Sequence, residues 1–155
     1  MEAEKEAKIL FSETVRPPLW LLAFIFFLLA SLALSLWAAF DNRTGLIALI
    51  IAVLALFPIN QAMLLKITVD ENELRVGRAH IERTYLGLVQ PLTIDEMRLT
   101  RGRNANPSAY LALRFWQPRG IRIAVHDSRD ATPYWLVSSK NTKGLVEALK
   151  KGSKS

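Results

Sequence analysis

Leu19-Trp-Leu-Leu-Ala-Phe-Ile-Phe-Phe-Leu-Leu-Ala-Ser-Leu-Ala-Leu-Ser-Leu-Trp-Ala-Ala-Phe40, then Asp41-Asn-Arg-Thr-Gly45, then Leu46-Ile-Ala-Leu-Ile-Ile-Ala-Val-Leu-Ala-Leu-Phe-Pro-Ile-Asn-Gln-Ala-Met-Leu-Leu65 decide how this chain is organised. The first run is 22 residues without a charge. As a helix rising 1.5 Å per residue it reaches about 33 Å, enough for a hydrocarbon core of about 30 Å. The second run holds 20 residues and stops at Lys66, and it also spans if Pro58 is accommodated as a kink. Five residues between the runs leave room only for a tight turn, so the expectation is a membrane α-helical hairpin. Pro17 and Pro18 stand where a missing donor costs a helix least, and Trp20 and Trp37 mark ends where indole rings prefer the interface. A cleaved signal peptide is the competing reading, but the first run is long for one and a second follows at once.

Small residues suggest how the two helices meet. Ser31, Ser35 and Ala39 recur every four residues on the first, and Ala48, Ala52 and Ala55 fall at matching depths on the second, which predicts a close-packed seam. Asn60 and Gln61 lie within about 10 Å of the Lys66 end by helical rise and read as a polar terminal turn. Basic residues set the orientation: Lys5, Lys8 and Arg16 precede the hairpin, and Lys66, Arg75 and Arg78 follow it, against Arg43 alone in the loop. Both termini are therefore expected in the cytoplasm, with the protein multi-pass in the plasma membrane.

The flanks differ from this centre. Residues 66–155 carry 16 Lys and Arg against 9 Asp and Glu, a local net charge of +7 where the whole chain carries +6. With no cysteine, a disulfide framework, Cys-based zinc sites and thiol catalysis are excluded. Residues 1–18 read as a cytoplasmic tail in which residues 2–10 favour helix, residues 19–65 as the hairpin (19–40 and 46–65), residues 66–151 as a β-rich domain, and residues 152–155 as a frayed end.

Beyond Lys66 the apolar period falls to two. Ile67 and Val69, a turn at residues 70–72, then Leu74 and Val76 predict a β-hairpin. Further strands are expected over 85–89, 110–115, 121–125 and 134–138, with Pro, Gly, Asn or Asp between them. A short helix of a single turn is expected over 94–99. A last helix capped by Asn141 or Thr142 gathers Leu145, Val146 and Leu149 on one face. The fold class expected is thus a membrane hairpin plus a small α+β, mostly β domain, a barrel or split barrel in pleckstrin-homology-like order with a C-terminal helix.

Particular residues add a resemblance. Asp130-Ala-Thr-Pro-Tyr-Trp-Leu-Val-Ser-Ser139, Leu74-Arg-Val-Gly-Arg-Ala79, Pro107-Ser-Ala-Tyr110 and the approach Phe11-Ser-Glu13 to Pro17-Pro18 resemble an uncharacterised actinobacterial family of small two-helix membrane proteins ending in a Pro-Tyr-Trp-Leu-Val-Ser strand. This chain departs from the family in having Phe11 and Thr14 where Tyr and Arg are common, and in fewer tryptophans at the start of the first span. The resemblance implies architecture and source. The family is a domain of unknown function, so it implies no catalytic residue.

Three constellations invite a functional reading. Arg98, Arg101, Arg103, Arg119 and Arg122 form a basic set that a tethered domain can turn toward anionic headgroups; generic positive-inside charge is the plainer account. Tyr134 and Trp135 alternate on one strand, so at most one ring is expected in the core; a core anchor with Asp130 and Thr132 setting the turn is the plainer account, and an outward ring serving as an aromatic platform for a lipid or peptide is the alternative. His80, His126, Asp127 and Asp130 lack metal-ligand spacing, and Ser138 and Ser139 lack a nucleophile-elbow setting. The expectation is a non-enzyme without cofactors, a binding or scaffold module whose partners are membrane lipids and a protein. The alternative is an auxiliary subunit of a transporter or envelope-synthesis complex acting through its hairpin. Nucleic acid is disfavoured, since basic charge comes without a recognition motif.

Overall fold

A computed structural model describes residues 8–151. They form two compact units: Arg16–Leu64 is one, and the segment before Arg16 joins Leu65 onward in the other. Most of the helix expected over residues 2–10, and the end at 152–155, fall outside the described residues; residues 8–10 are not helical.

The first unit is a pair of long apolar helices, α1 (Leu19–Ala39) and α2 (Asn42–Met63), each long and apolar enough to cross a membrane. Helix α2 starts four residues before Leu46 because Asp41 caps it, its carboxylate accepting from the Thr44 N–H at 2.9 Å. Trp37 Nε1 donates to Asn42 Oδ1 at 2.8 Å, and a Cβ on Gly45 would run into the Trp37 ring, so glycine lets the turn close. Pro58 lies inside α2.

The seam on α1 is not where the small residues repeat. Ser31, Ser35 and Ala39 are exposed, and the inward stripe is Ile25, Leu29, Ala33 and Leu36, with Ala33 buried. The two hydroxyls find acceptors on their own helix instead, Ser31 Oγ donating to the Phe27 carbonyl at 2.8 Å and Ser35 Oγ to the Ser31 carbonyl at 2.9 Å. On α2, Gly45 and Ala52 are buried, and Ala48 and Ala55 are half-buried on the same stripe.

The second unit contains two four-stranded sheets and a C-terminal helix. β1 (Phe11–Val15), β2 (Leu65–Val69), β3 (Glu73–Val76) and β4 (Ala79–Glu82) lie in that order, all antiparallel. β1 falls within the stretch read as a tail, and β4 was not expected. Val15 pairs with Leu65 and Phe11 with Val69, so the strand before α1 zips onto the strand after α2. Asp70 makes the β2–β3 turn by accepting from the N–H groups of Asn72 and Glu73 at 2.8 and 2.7 Å, and Gly77 takes the φ of +62° that the two-residue β3–β4 turn needs.

The second sheet runs β5 (Leu86–Leu92), β7 (Gly120–Val125), β8 (Tyr134–Ser138), β6 (Tyr110–Ala112), antiparallel except for the β6–β8 pair. Between β5 and β6 stands α3 (Ile94–Arg101), longer than a single turn. Helix α4 (Thr142–Lys151) closes the domain, with Asn141 Oδ1 accepting from the Gly144 N–H at 3.0 Å. One core joins Ile67, Leu74 and Val76 of the first sheet, Ile121, Ile123, Trp135 and Val137 of the second, and Leu145 and Leu149 of α4.

Arg83 locks this arrangement. It donates to the Asp70 carbonyl at 2.8 Å and to the Ala148 and Leu149 carbonyls at 2.8 and 2.7 Å. It thereby ties the β2–β3 turn to the last turn of α4, where a cation also suits the negative end of the helix dipole. Burial pulls its guanidinium pKa down and nearby Asp70 pushes it up; the group stays charged at any physiological pH.

Candidate functional site

β8 decides what the aromatic pair can do. Tyr134 and Trp135 do point to opposite faces, but both are buried, at 4% and 5% exposure, because both faces of the second sheet are covered. Trp135 packs in the main core, its ring 4.5 Å from Tyr110. Tyr134 and Leu136 pack under α3 against Met97, and the Tyr134 hydroxyl accepts from the Asn106 N–H at 3.2 Å. The expected aromatic platform is therefore corrected: neither ring is available to a partner. Sequence spacing shows that the rings alternate but not that α3 lies over the second face.

The five arginines are distributed around that same covered face. Arg122 projects from β7 with its guanidinium 4.3 Å over the Tyr134 ring, a cation–π contact. Arg98 and Arg101 lie on α3 and Arg103 in the loop after it, all exposed. Arg119 is brought to the start of α3, where it lines an open groove of about 470 Å³ with Leu92, Thr93, Ile94, Asp95 and Lys143. α3 begins in a reciprocal cap: Thr93 Oγ1 accepts from the Glu96 N–H, and Glu96 accepts from the Thr93 N–H at 2.7 Å. The bonds that the Glu96 carboxylate accepts from the Thr93 N–H and from the Thr93 hydroxyl hold it below its usual pKa.

A feature absent from the sequence reading stands beside this groove. From Met97 to His126 there are six arginines and no Asp or Glu. In the middle of that stretch, between β6 and β7, Arg114-Phe115-Trp116-Gln117-Pro118-Arg119 leaves Phe115 64% exposed. Phe115 meets Trp116 edge to face at 4.9 Å, and the Arg114 guanidinium lies 5.9 Å over the Trp116 ring. An apolar pair flanked by arginines, inside a long acid-free stretch, was the available signal.

The histidines and acids do not converge. His80 is on β4 and His126 lies after β7, packed beside Gly87. Asp127 pairs with Arg129, which also donates to the Tyr85 hydroxyl at 2.7 Å; the Asp127 bond is the largest cause raising the Arg129 pKa. Asp130 accepts from the Thr132 N–H, and its carboxyl pKa is lowered by bonding to Thr132. Among the described residues no group of three or more His, Cys, Asp or Glu could hold a metal ion.

A family model described as a protein of unknown function, DUF3093, matches residues 10–149. No curated protein and no solved structure matches the chain.

Proposed function

The chain belongs to the DUF3093 family, and from that premise we propose that it is a membrane-anchored, non-catalytic binding module: the hairpin embeds in the plasma membrane and the basic β domain works at its cytoplasmic, anionic surface. The observation that carries this reading is the surface of the hairpin. Phe24, Phe27, Leu32, Leu54 and Phe57 are all more than half exposed, on helices of mean hydropathy 2.6 and 2.3. Such faces are stable when hydrocarbon replaces water around them. Each flank has more Lys and Arg than the loop, which holds Arg43 alone, and this supports cytoplasmic termini; the charge of the β domain suits anionic lipid. The two sheets with a terminal helix support a pleckstrin-homology-like reading, from which α3, standing among the strands, departs.

Single cysteines at Asn42 and Ser128 test the placement, since the native chain has none. The expected outcome in intact cells is labelling of Asn42 by an impermeant maleimide, with Ser128 labelled only after lysis. Labelling of Ser128 from outside would overturn the orientation.

One observation favours a second reading, an auxiliary subunit acting through the hairpin. Ser31, Ser35 and Ala39 face away from α2, which leaves small side chains every four residues where another helix can approach.

A further inference from the structure

We propose that the Arg114–Arg119 loop is a lipid-contact element that lays Phe115 and Trp116 into the headgroup layer of the same anionic bilayer that receives the hairpin; this rests on the membrane reading above. The loop is braced rather than slack. The Arg114 N–H donates to Ser138 Oγ at 3.0 Å, Ser138 Oγ donates to the Gln117 carbonyl at 3.3 Å, Gln117 Nε2 donates to the Ser139 carbonyl at 2.9 Å, and the Ser139 N–H donates to the Arg119 carbonyl at 3.1 Å. Bonds on both sides fix the backbone, and Phe115 is still left outside the core. A large apolar side chain held outward on a fixed loop points to a non-aqueous partner.

Two further observations specify lipid. Trp116 is half-buried, and its Nε1 is buried without a hydrogen-bond partner among the described residues; an indole that rises to the headgroups gains acceptors there while its ring stays in apolar surroundings. Arg114 and Arg119 flank the pair, and no acid stands between Met97 and His126, a charge pattern complementary to anionic headgroups. The far side of this brace is held in turn: Ser139 Oγ and the Lys140 N–H both donate to the Glu13 carboxylate of β1 at 2.6 Å.

The test uses the full chain reconstituted in vesicles, with an environment-sensitive fluorophore on a single cysteine replacing Phe115, Arg129 or Leu54, and a spin label carried near the headgroup or deep in the acyl chain as quencher. In vesicles of equal phosphatidylcholine and phosphatidylglycerol, the shallow quencher is expected to remove about half of the emission at 115 and little at 129, as for a side chain seated at the boundary. Phosphatidylcholine alone should weaken quenching at 115. Equal, weak quenching at 115 and 129 with strong deep quenching at 54 overturns the lipid-contact loop while leaving the membrane anchor standing, and leaves Phe115 to a protein partner. Weak quenching at 54 as well overturns the membrane reading itself. Phe115→Glu, at an exposed position, gives a second measure: it should retain the domain's near-UV circular dichroism and release Trp116 from shallow quenching.

Discussion

In the helical hairpin, Phe24, Phe27, Leu32 and Leu54 face outward, and the inward stripe is built around Ala33, Gly45 and Ala52. In the β domain the pattern is reversed. Ile67, Leu74, Ile123 and Leu136 are fully enclosed, and the outside is mainly basic and polar, with Phe115 and Leu88 among the exposed exceptions. Burial of apolar surface organises a unit only where water is the alternative; where lipid is the alternative, close approach of small residues does that work. On the proposed membrane reading one chain follows two packing rules, and the boundary between them falls at Val15 and Leu65, the paired residues where the sheet begins.

The largest effect that can break this contrast comes from removing the same side chain in each unit. Leu136→Ala empties a site of 0% exposure and is expected to cost about 3 kcal/mol of domain stability. Leu32→Ala, at a position 59% exposed, should change the stability of either unit by less than about 0.5 kcal/mol. Urea unfolding of the detergent-solubilised chain, followed by near-UV circular dichroism, compares them directly. Similar costs for the two would mean that the hairpin is packed as a soluble core.

The next effect tests the seam. Ala52→Leu forces a large side chain into the buried stripe and should cost the hairpin about 2 kcal/mol, read as earlier loss of helix in an SDS titration. Ser31→Leu, on the outward face, should leave that titration nearly unchanged. The reverse order would return the seam to Ser31, Ser35 and Ala39.

The alternating strands over 67–76 and the amphipathic last helix were legible because each carries its own period, and 134–138 because an apolar run follows turn residues. β1 was not, because Phe-Ser-Glu-Thr-Val has little pattern of its own and becomes a strand by pairing with β2, some fifty residues later in the chain. The α1 stripe was hidden for a related reason: in a helix apolar on every side, composition does not say which side turns inward, and the serines that suggested a seam bond their own helix. Arg83 gave no signal at all, since its partners are backbone carbonyls, which look alike in any sequence. The basic set was visible as composition, but its centre, the Phe115–Trp116 loop, depends on bonds to Ser138 and Ser139 that only the fold supplies.

The smallest effect sharpens the contrast at the helix starts. Helix α1 follows Pro18 with no side-chain cap, whereas α3 relies on the reciprocal Thr93–Glu96 cap. The Glu96 carboxylate is held below its ordinary pKa of 4.5, first by its bond to the Thr93 backbone and then by the bond to the Thr93 side chain. A depressed folded-state pKa contributes stability that is fully present above the unfolded value and is lost as pH falls through the folded one. The pH dependence of thermal unfolding should therefore differ between the native chain and Glu96→Ala only in acid. The difference between them stays constant above roughly pH 5 and shrinks as pH falls below about 4.5, while helix content at α1 does not respond. A difference that stayed constant down to pH 3 would mean that Glu96 does not cap α3 as a carboxylate.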